Sequence, residues 1–318
     1  MSKQKYDAIV IGGGHNGLVH AAYLAKAGLK PLVLERRHLV GGAAITEELL
    51  PGFHFTTFSY ALSLLRPDII HDLQLTRHGL MVLPLSTLFA PMENGDYLLL
   101  GPDDGLNYHE IARHSRRDAE AWADYGHWIE QICQAVKPLF DTIPPNIFSD
   151  EPEEIARLAA LGRHLRNLEP RVLHYLVRLL TDSAESFLDE WFESDIMKGW
   201  LASSGIIGTK VGPRSQGSGL VMLFHNMGEV DSVFGEWGFH KGGNGGFTQV
   251  LARAAQSLGA EIRLNAGVSE VITKHGQAIG VALEDGEEIY ADVVISSLDP
   301  RRTFLQMVNE RELPTDLV

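Results

Sequence analysis

The period of the apolar residues changes several times along the chain. Residues 8–11 form an unbroken apolar run, the pattern of a strand buried on both faces of a parallel sheet. Residues 18–27 then place Ala and Leu at helical spacing, Gly28 ends that helix, and residues 30–34 read as a second short strand. Residues 53–58 alternate aromatic with small polar side chains, which predicts an extended segment with one face buried. A short helix is expected at 69–75 and strands at 81–85, 87–90 and 97–100, the last two joined as a hairpin through Asn94-Gly95.

From about Asn107 to Asn226 the period is helical. Over 118–136, Trp122, Tyr125, Ile129 and Ile132 fall on one side, and shorter amphipathic pieces follow at 155–165, 172–180, 187–192, 196–203 and 220–225. A strand is expected at 233–239. The pattern then returns to short strands around a clean amphipathic helix at 248–258: strands at 261–264, 268–274, 278–283 and 288–290, and a buried parallel strand at 292–296. Asp299-Pro300 opens a last helix. Strand and helix signals at both ends thus bracket a helical middle. The expected fold class is α/β, a Rossmann-like domain in discontinuous segments with an inserted α+β, largely helical domain.

The junction after the first strand carries the chemistry. Gly12-Gly13-Gly14-His15-Asn16-Gly17 places a Gly-x-Gly-x-x-Gly turn between a strand and a helix, the context a dinucleotide site requires. The first glycine permits the tight turn, the second lets a pyrophosphate approach the backbone, and the third lets helix and strand pack closely. The second strand closes on Glu35, where a carboxylate can bond adenosine ribose hydroxyls; a surface carboxylate at a strand end is the plainer reading.

Composition narrows the partners. The formal net charge is −14, which argues against nucleic acid, whose phosphates need a dense basic patch. The basic cluster at 113–117 reads as a solvated helix end. Cys133 is the single cysteine, so a disulfide framework, a CxxC redox pair and a Cys-rich metal site are excluded, and a reducing cytoplasm is the expected compartment. His109, His114, His127, His164 and His174 lack a paired metal spacing. No transmembrane segment is expected, since no run of 18 apolar residues occurs, and residues 1–5 lead directly into the first strand without a targeting peptide. The glycine-rich stretch 203–218 reads equally as a ligand-facing loop or a connector.

Two resemblances sharpen this picture. Glu35-x-Arg37-x-x-x-Gly41-Gly42 resembles the extended signature of FAD enzymes of the glutathione-reductase type, whose second glycine pair brings another backbone segment against the cofactor. The opening glycine turn, Gly242-Gly243-x-Gly245 before a helix, Gly259-Ala260-Glu261-Ile262, Gly280-Val281-x-Leu283-x-Asp285-Gly286 and the run from Ala291 to Asp299-Pro300 together resemble the phytoene desaturase-like FAD-dependent oxidoreductases. The stretch 51–67 points to one branch of that family.

The resemblance implies FAD as cofactor and hydride transfer between an apolar, lipophilic substrate and the flavin. By position, Gly12, Gly14 and Gly17 would hold the pyrophosphate, with Gly13, His15 and Asn16 completing the turn and Glu35 meeting the ribose. Arg36, Gly42 and Ala43 would continue the cofactor wall. Val268 would meet the adenine side through its backbone, or serve as a core valine. Thr56, Thr57 and the 203–212 loop are candidates for the substrate side.

The implied FAD-binding domain is 1–54 with 236–300, and the substrate domain is 55–235. Family members run beyond this length, so 301–318 are expected to start a C-terminal part that closes the flavin site. An oligomer or a completing subunit could supply it, and a lipophilic substrate leaves room for a peripheral membrane contact. The alternatives are a non-catalytic binding protein on the same fold, as in the Rab GDP-dissociation inhibitors, and an incomplete fragment.

Overall fold

The structure, a computed structural model, describes residues 6–230, 233–315 and 317. Residues 1–5, read above as a bare start, lie outside the described residues. The chain forms two compact units, Met1–Leu83 with Gly238–Val318, and Pro84–Trp237.

In chain order the first unit contains β1 (Tyr6–Ile11), α1 (His15–Lys26), β2 (Pro31–Leu34), a hairpin of β3 (Thr46–Leu50) and β4 (Phe53–Thr56), α2 (Gly245–Ser257), β5 (Glu261–Arg263), β6 (Val268–Lys274), β7 (Gln277–Leu283) and β8 (Glu288–Ser296). The principal sheet has the order β5-β2-β1-β8-β7-β6. The pairs β5/β2, β2/β1 and β1/β8 are parallel, while β8/β7 and β7/β6 are antiparallel.

Alternation along the strands divides the core. Val10 and Val33 join the cluster that holds Leu18, Ala21 and Ala22 of α1 and Val250, Leu251 and Ala254 of α2. Ile9, Ile11, Leu32 and Leu34 point to the other face, where Val268, Val281, Leu283 and Ile289 cover them. Each strand therefore buries both faces, which is why its sequence shows no polar alternation. Alanines on α1 and α2 leave room for the two helices to pack side by side.

The last strand differs from expectation. The segments 288–290 and 292–296 are one strand of 9 residues. Its start runs antiparallel to β7, with Tyr290 opposite Gly280, and its remainder runs parallel to β1, from Ala291 opposite Tyr6 to Ser296 opposite Ile11. The parallel portion is not fully buried, as Val293 is 51% exposed. Ala291 keeps the backbone extended where the sequence suggested a break.

The 53–58 segment is also corrected. It forms β4, but Phe53 and Phe55 are exposed, as are Leu49 and Leu50 on its partner β3. Polar contacts seat the hairpin instead. The Thr46 hydroxyl accepts the Gly245 N–H at 2.9 Å, and the Thr56 hydroxyl accepts the Asn244 N–H at 3.2 Å. β3 escaped notice because Thr-Glu-Glu-Leu-Leu shows no alternation.

The first unit reaches Leu83, beyond the boundary expected at 54, because Leu62, Leu65, Ile69, Leu73, Leu75 and Leu80 pack into the α1/α2 core. Residues 301–318 fall in the same unit, with Met307 and Val308 against the opposite core.

In the second unit the predicted hairpin pairs Leu88–Pro91 with Tyr97–Leu100. Helices Arg116–Val136, Pro170–Thr181 and Ser218–Asn226 enclose a core that includes Tyr125, Ile132, Leu179 and Phe187. Asp118, fully buried, accepts the backbone N–H groups of Glu193 and Ser194 at 2.8 and 3.0 Å. Within the 203–218 stretch the buried Ser218 hydroxyl donates to Pro213 O and Ser215 O. Cys133 is a buried free thiol whose pKa burial pushes up to about 12, which disfavours its thiolate form at neutral pH.

His240 opens the glycine turn before α2. It is buried, and its Nδ1 has no hydrogen-bond partner among the described residues. Burial, and then the charge of Arg253, hold its imidazole below the ordinary 6.5. The unfolded chain therefore binds this proton more readily than the folded one. Stability is fully present above pH 6.5 and falls as pH drops through and below it. Urea midpoints at neutral and mildly acidic pH should show this decline in the parent chain and a smaller one in His240→Phe.

Candidate functional site

The site is built where β1, β2 and β8 end together. After Ile11 the chain turns through Gly12, whose φ of +97° suits a residue without a side chain. The Gly12 N–H is held by Leu34 O at 2.9 Å. α1 then begins at His15, and its N-cap, Gly14, has no side chain to cap the first turn. The leading N–H groups of the helix are thus available to an anion, reinforced by the positive end of the helix dipole.

Contact distances explain the glycines. A Cβ on Gly17 would run into the Gly12 carbonyl oxygen. Gly14 pairs with Gly41 in an isolated parallel bridge, and Gly41 N–H donates to Gly13 O at 2.9 Å. A Cβ on Gly42, whose φ is +59°, would stand 3.2 Å from Gly14 Cα. The second glycine pair therefore lies against the first turn as backbone on backbone. Ala43 follows it at the surface and holds Ser59 N–H through its carbonyl at 3.0 Å.

Glu35 is buried at the end of β2. Its Oε2 accepts the Gly13 N–H at 2.8 Å and its Oε1 accepts the Arg37 N–H at 2.9 Å. Each oxygen retains further acceptor capacity, so the carboxylate is fixed in place and can still receive ligand hydroxyls. Arg37, the basic residue of the extended signature, pairs with Glu47. The neighbouring Arg36 instead lines a cleft of about 350 Å³ together with Gly12, Glu35 and Val268. Val268 packs its side chain in the core, and the residue also lines the cleft.

Four of the sequence candidates thus share the cleft: Gly12, Glu35, Arg36 and Val268. Gly13, Gly14, Gly17 and Gly42 form the glycine ledge that adjoins Gly12, whereas His15 and Asn16 stand exposed at the first turn of α1. Thr56 is occupied within the β3–β4 hairpin, and the Thr57 hydroxyl is buried without a partner among the described residues. The 203–212 loop belongs to the other unit.

Several residues escaped the sequence reading. Ser297 donates to Ile11 O and Gly12 O at 3.0 and 3.2 Å and so fixes the turn from the β8 side. Gly267, Glu284, Arg302 and Gln306 complete the cleft. Only Gly267, a glycine one position before a strand, offered a local signal. Among the described residues no group of His, Cys, Asp and Glu could hold a metal ion. No described helix is long and apolar enough to cross a membrane.

A buried, preoriented carboxylate, a ledge without side chains and an uncapped helix start define a dinucleotide-binding protein, and they fit the adenosine and pyrophosphate portion of FAD. The sequence comparisons agree. Residues 10–72 match the NAD(P)-binding Rossmann-like domain, and residues 91–306 match the flavin containing amine oxidoreductase family. The chain belongs to the flavin containing amine oxidoreductase family, and its cofactor is accordingly FAD.

It is 40% identical over 328 residues to pyridine nucleotide-disulfide oxidoreductase domain-containing protein 2 of Rattus norvegicus, covering 98% of this chain and 56% of that protein. It is 26% identical over 307 residues to phytoene desaturase (lycopene-forming) of Pantoea ananas, covering 95% of this chain and 57% of that one. The chain therefore spans little more than half the length of these relatives. An oxidoreductase from Methanosarcina mazei shares the fold, with a TM-score of 0.59 at 18% identity over 98% of this chain and 62% of that one.

Removing the Glu35 side chain should strand two backbone donors. Glu35→Ala is expected to lower unfolding stability by about 1–3 kcal/mol, and Glu35→Gln by less, since the amide oxygen can still accept one bond. Gly17→Ala, which must push α1 away from the turn, should cost about 1–3 kcal/mol. Urea unfolding of the three variants against the parent chain measures both.

Proposed function

We propose that this chain holds FAD through the first unit and acts in an oxidoreductase that moves hydride between an apolar substrate and the flavin. The observation that carries the reading is the cleft that brings Glu35, Arg36 and Val268 beside the Gly12 turn. In this assignment Glu35 accepts the adenosine ribose hydroxyls. The first-turn N–H groups of α1 meet the pyrophosphate charge, and the Gly14–Gly42 contact lets the phosphates approach the backbone. Val268 offers backbone groups to the adenine. FAD would supply the two-electron chemistry, the substrate giving up hydride and a proton as the flavin is reduced.

The lipophilic character of the substrate is supported by the similarity to phytoene desaturase of Pantoea ananas. The non-catalytic alternative is less favoured, because Glu35 and the second glycine pair retain a full cofactor-directed arrangement.

The purified chain should be yellow and release stoichiometric FAD on denaturation. Anaerobic addition of an apolar, oxidisable substrate should bleach the flavin band. A folded, colourless chain that takes up no added FAD would overturn the reading and return attention to a binding role.

A further inference from the structure

The cleft holds one carboxylate that the reading above leaves unused. Glu284 follows β7 and lines the cleft with Gly267 and Val268. Its backbone N–H donates to Gly267 O at 2.8 Å, and its side chain has no hydrogen bond or ion pair among the described residues. A Cβ on Gly267 would stand 2.5 Å from Glu284 Cδ and 2.6 and 2.7 Å from its two oxygens. Gly267 does not have the positive φ that would by itself call for glycine. The carboxylate, exposed in the open cleft, thus lies directly over the Gly267 backbone, and a side chain there would turn it aside. Arg36 and Arg302 line the same cleft.

The two acids stand on different walls. Glu35 closes β2 beside the glycine turn, whereas Glu284 lies across from Gly267 at the start of β6. We propose that Glu284 reads the base of the dinucleotide by accepting a hydrogen bond from the exocyclic amino group of adenine. The assignment rests on the FAD reading and deepens it, making Glu284 a specificity-determining residue. An ionised carboxylate can only accept. Adenine presents a donor at its amino group, whereas a base with an oxo group in that place presents an acceptor. The second case sets two acceptors face to face, which disfavours the oxo base.

The test titrates the full chain, stripped of flavin, with FAD and with flavin hypoxanthine dinucleotide, following flavin fluorescence. The parent chain should bind FAD more tightly by about tenfold or more. E284Q should bring the two dissociation constants within about threefold, because a glutamine amide can turn to present either donor or acceptor. Gly267→Ala, which displaces the carboxylate, should weaken the preference in the same direction. Equal binding of both dinucleotides by the parent chain overturns this inference and leaves the FAD reading standing. So does a preference that E284Q retains in full. Failure of the parent chain to bind either dinucleotide overturns the FAD reading and this inference with it.

Discussion

The bond from the Gly13 N–H to the Glu35 carboxylate ties the glycine turn to the end of β2, where the cleft begins. Glu35 is buried, and a buried carboxylate is tolerable only where donors are fixed around it. Here both donors are backbone groups, Gly13 N–H and Arg37 N–H. The acid therefore has its orientation before any ligand arrives. The same bond holds the glycine turn from the β2 side while Ser297 holds it from the β8 side. Packing adds to this restraint, because a Cβ on Gly13 would stand 3.0 Å from Glu35 Cβ and 3.1 Å from Val40 Cγ1.

The backbone beyond Glu35 extends that wall. Glu35 N–H donates to Arg263 O, and Glu35 O accepts from Ala266 N–H, each at 2.9 Å. The segment leaving β5 is thus laid alongside the segment leaving β2, and Gly267 and Val268 arrive at the cleft by main-chain bonding. β8 makes the arrangement continuous, since one strand serves both the parallel sheet and the antiparallel hairpin of β6 and β7. A ligand lying at the carboxyl ends of β1 and β2 is the expectation for sheets of this topology.

Much of this was legible in the sequence, for identifiable reasons. The glycine turn could be read because strand, turn and helix are local, and each glycine answers a contact within its own neighbourhood or with a recognisable second pair. The buried strands could be read because both faces are covered. The failures also share a cause. β3 and β4 keep exposed apolar side chains and are seated by threonine hydroxyls on the backbone of the Gly-rich turn, a long-range contact with no periodic signature. Ser297, Glu284 and Arg302 join the site only after folding brings distant segments together; Ser297 and Glu284 lie within stretches that resemble the family, but neither stretch says that their side chains face the glycine turn or the cleft. The boundary at 54 failed for a related reason: the residues that carry the unit on to Leu83 are apolar, but their spacing does not say which core receives them.

Every part of the cleft and of the glycine ledge comes from the first unit, drawn from two segments separated by more than 150 residues of sequence. In the proposed assignment the residues that meet the adenosine end of the dinucleotide are therefore all residues of this unit. Such a division separates two constraints that a flavin enzyme must meet. The cofactor end is a fixed ligand, and the proposed site would meet it with backbone groups, missing side chains and one buried acid, all of which tolerate little change. Substrate differences can then be taken up elsewhere in the protein, since a site on a shared fold determines function more closely than the fold itself.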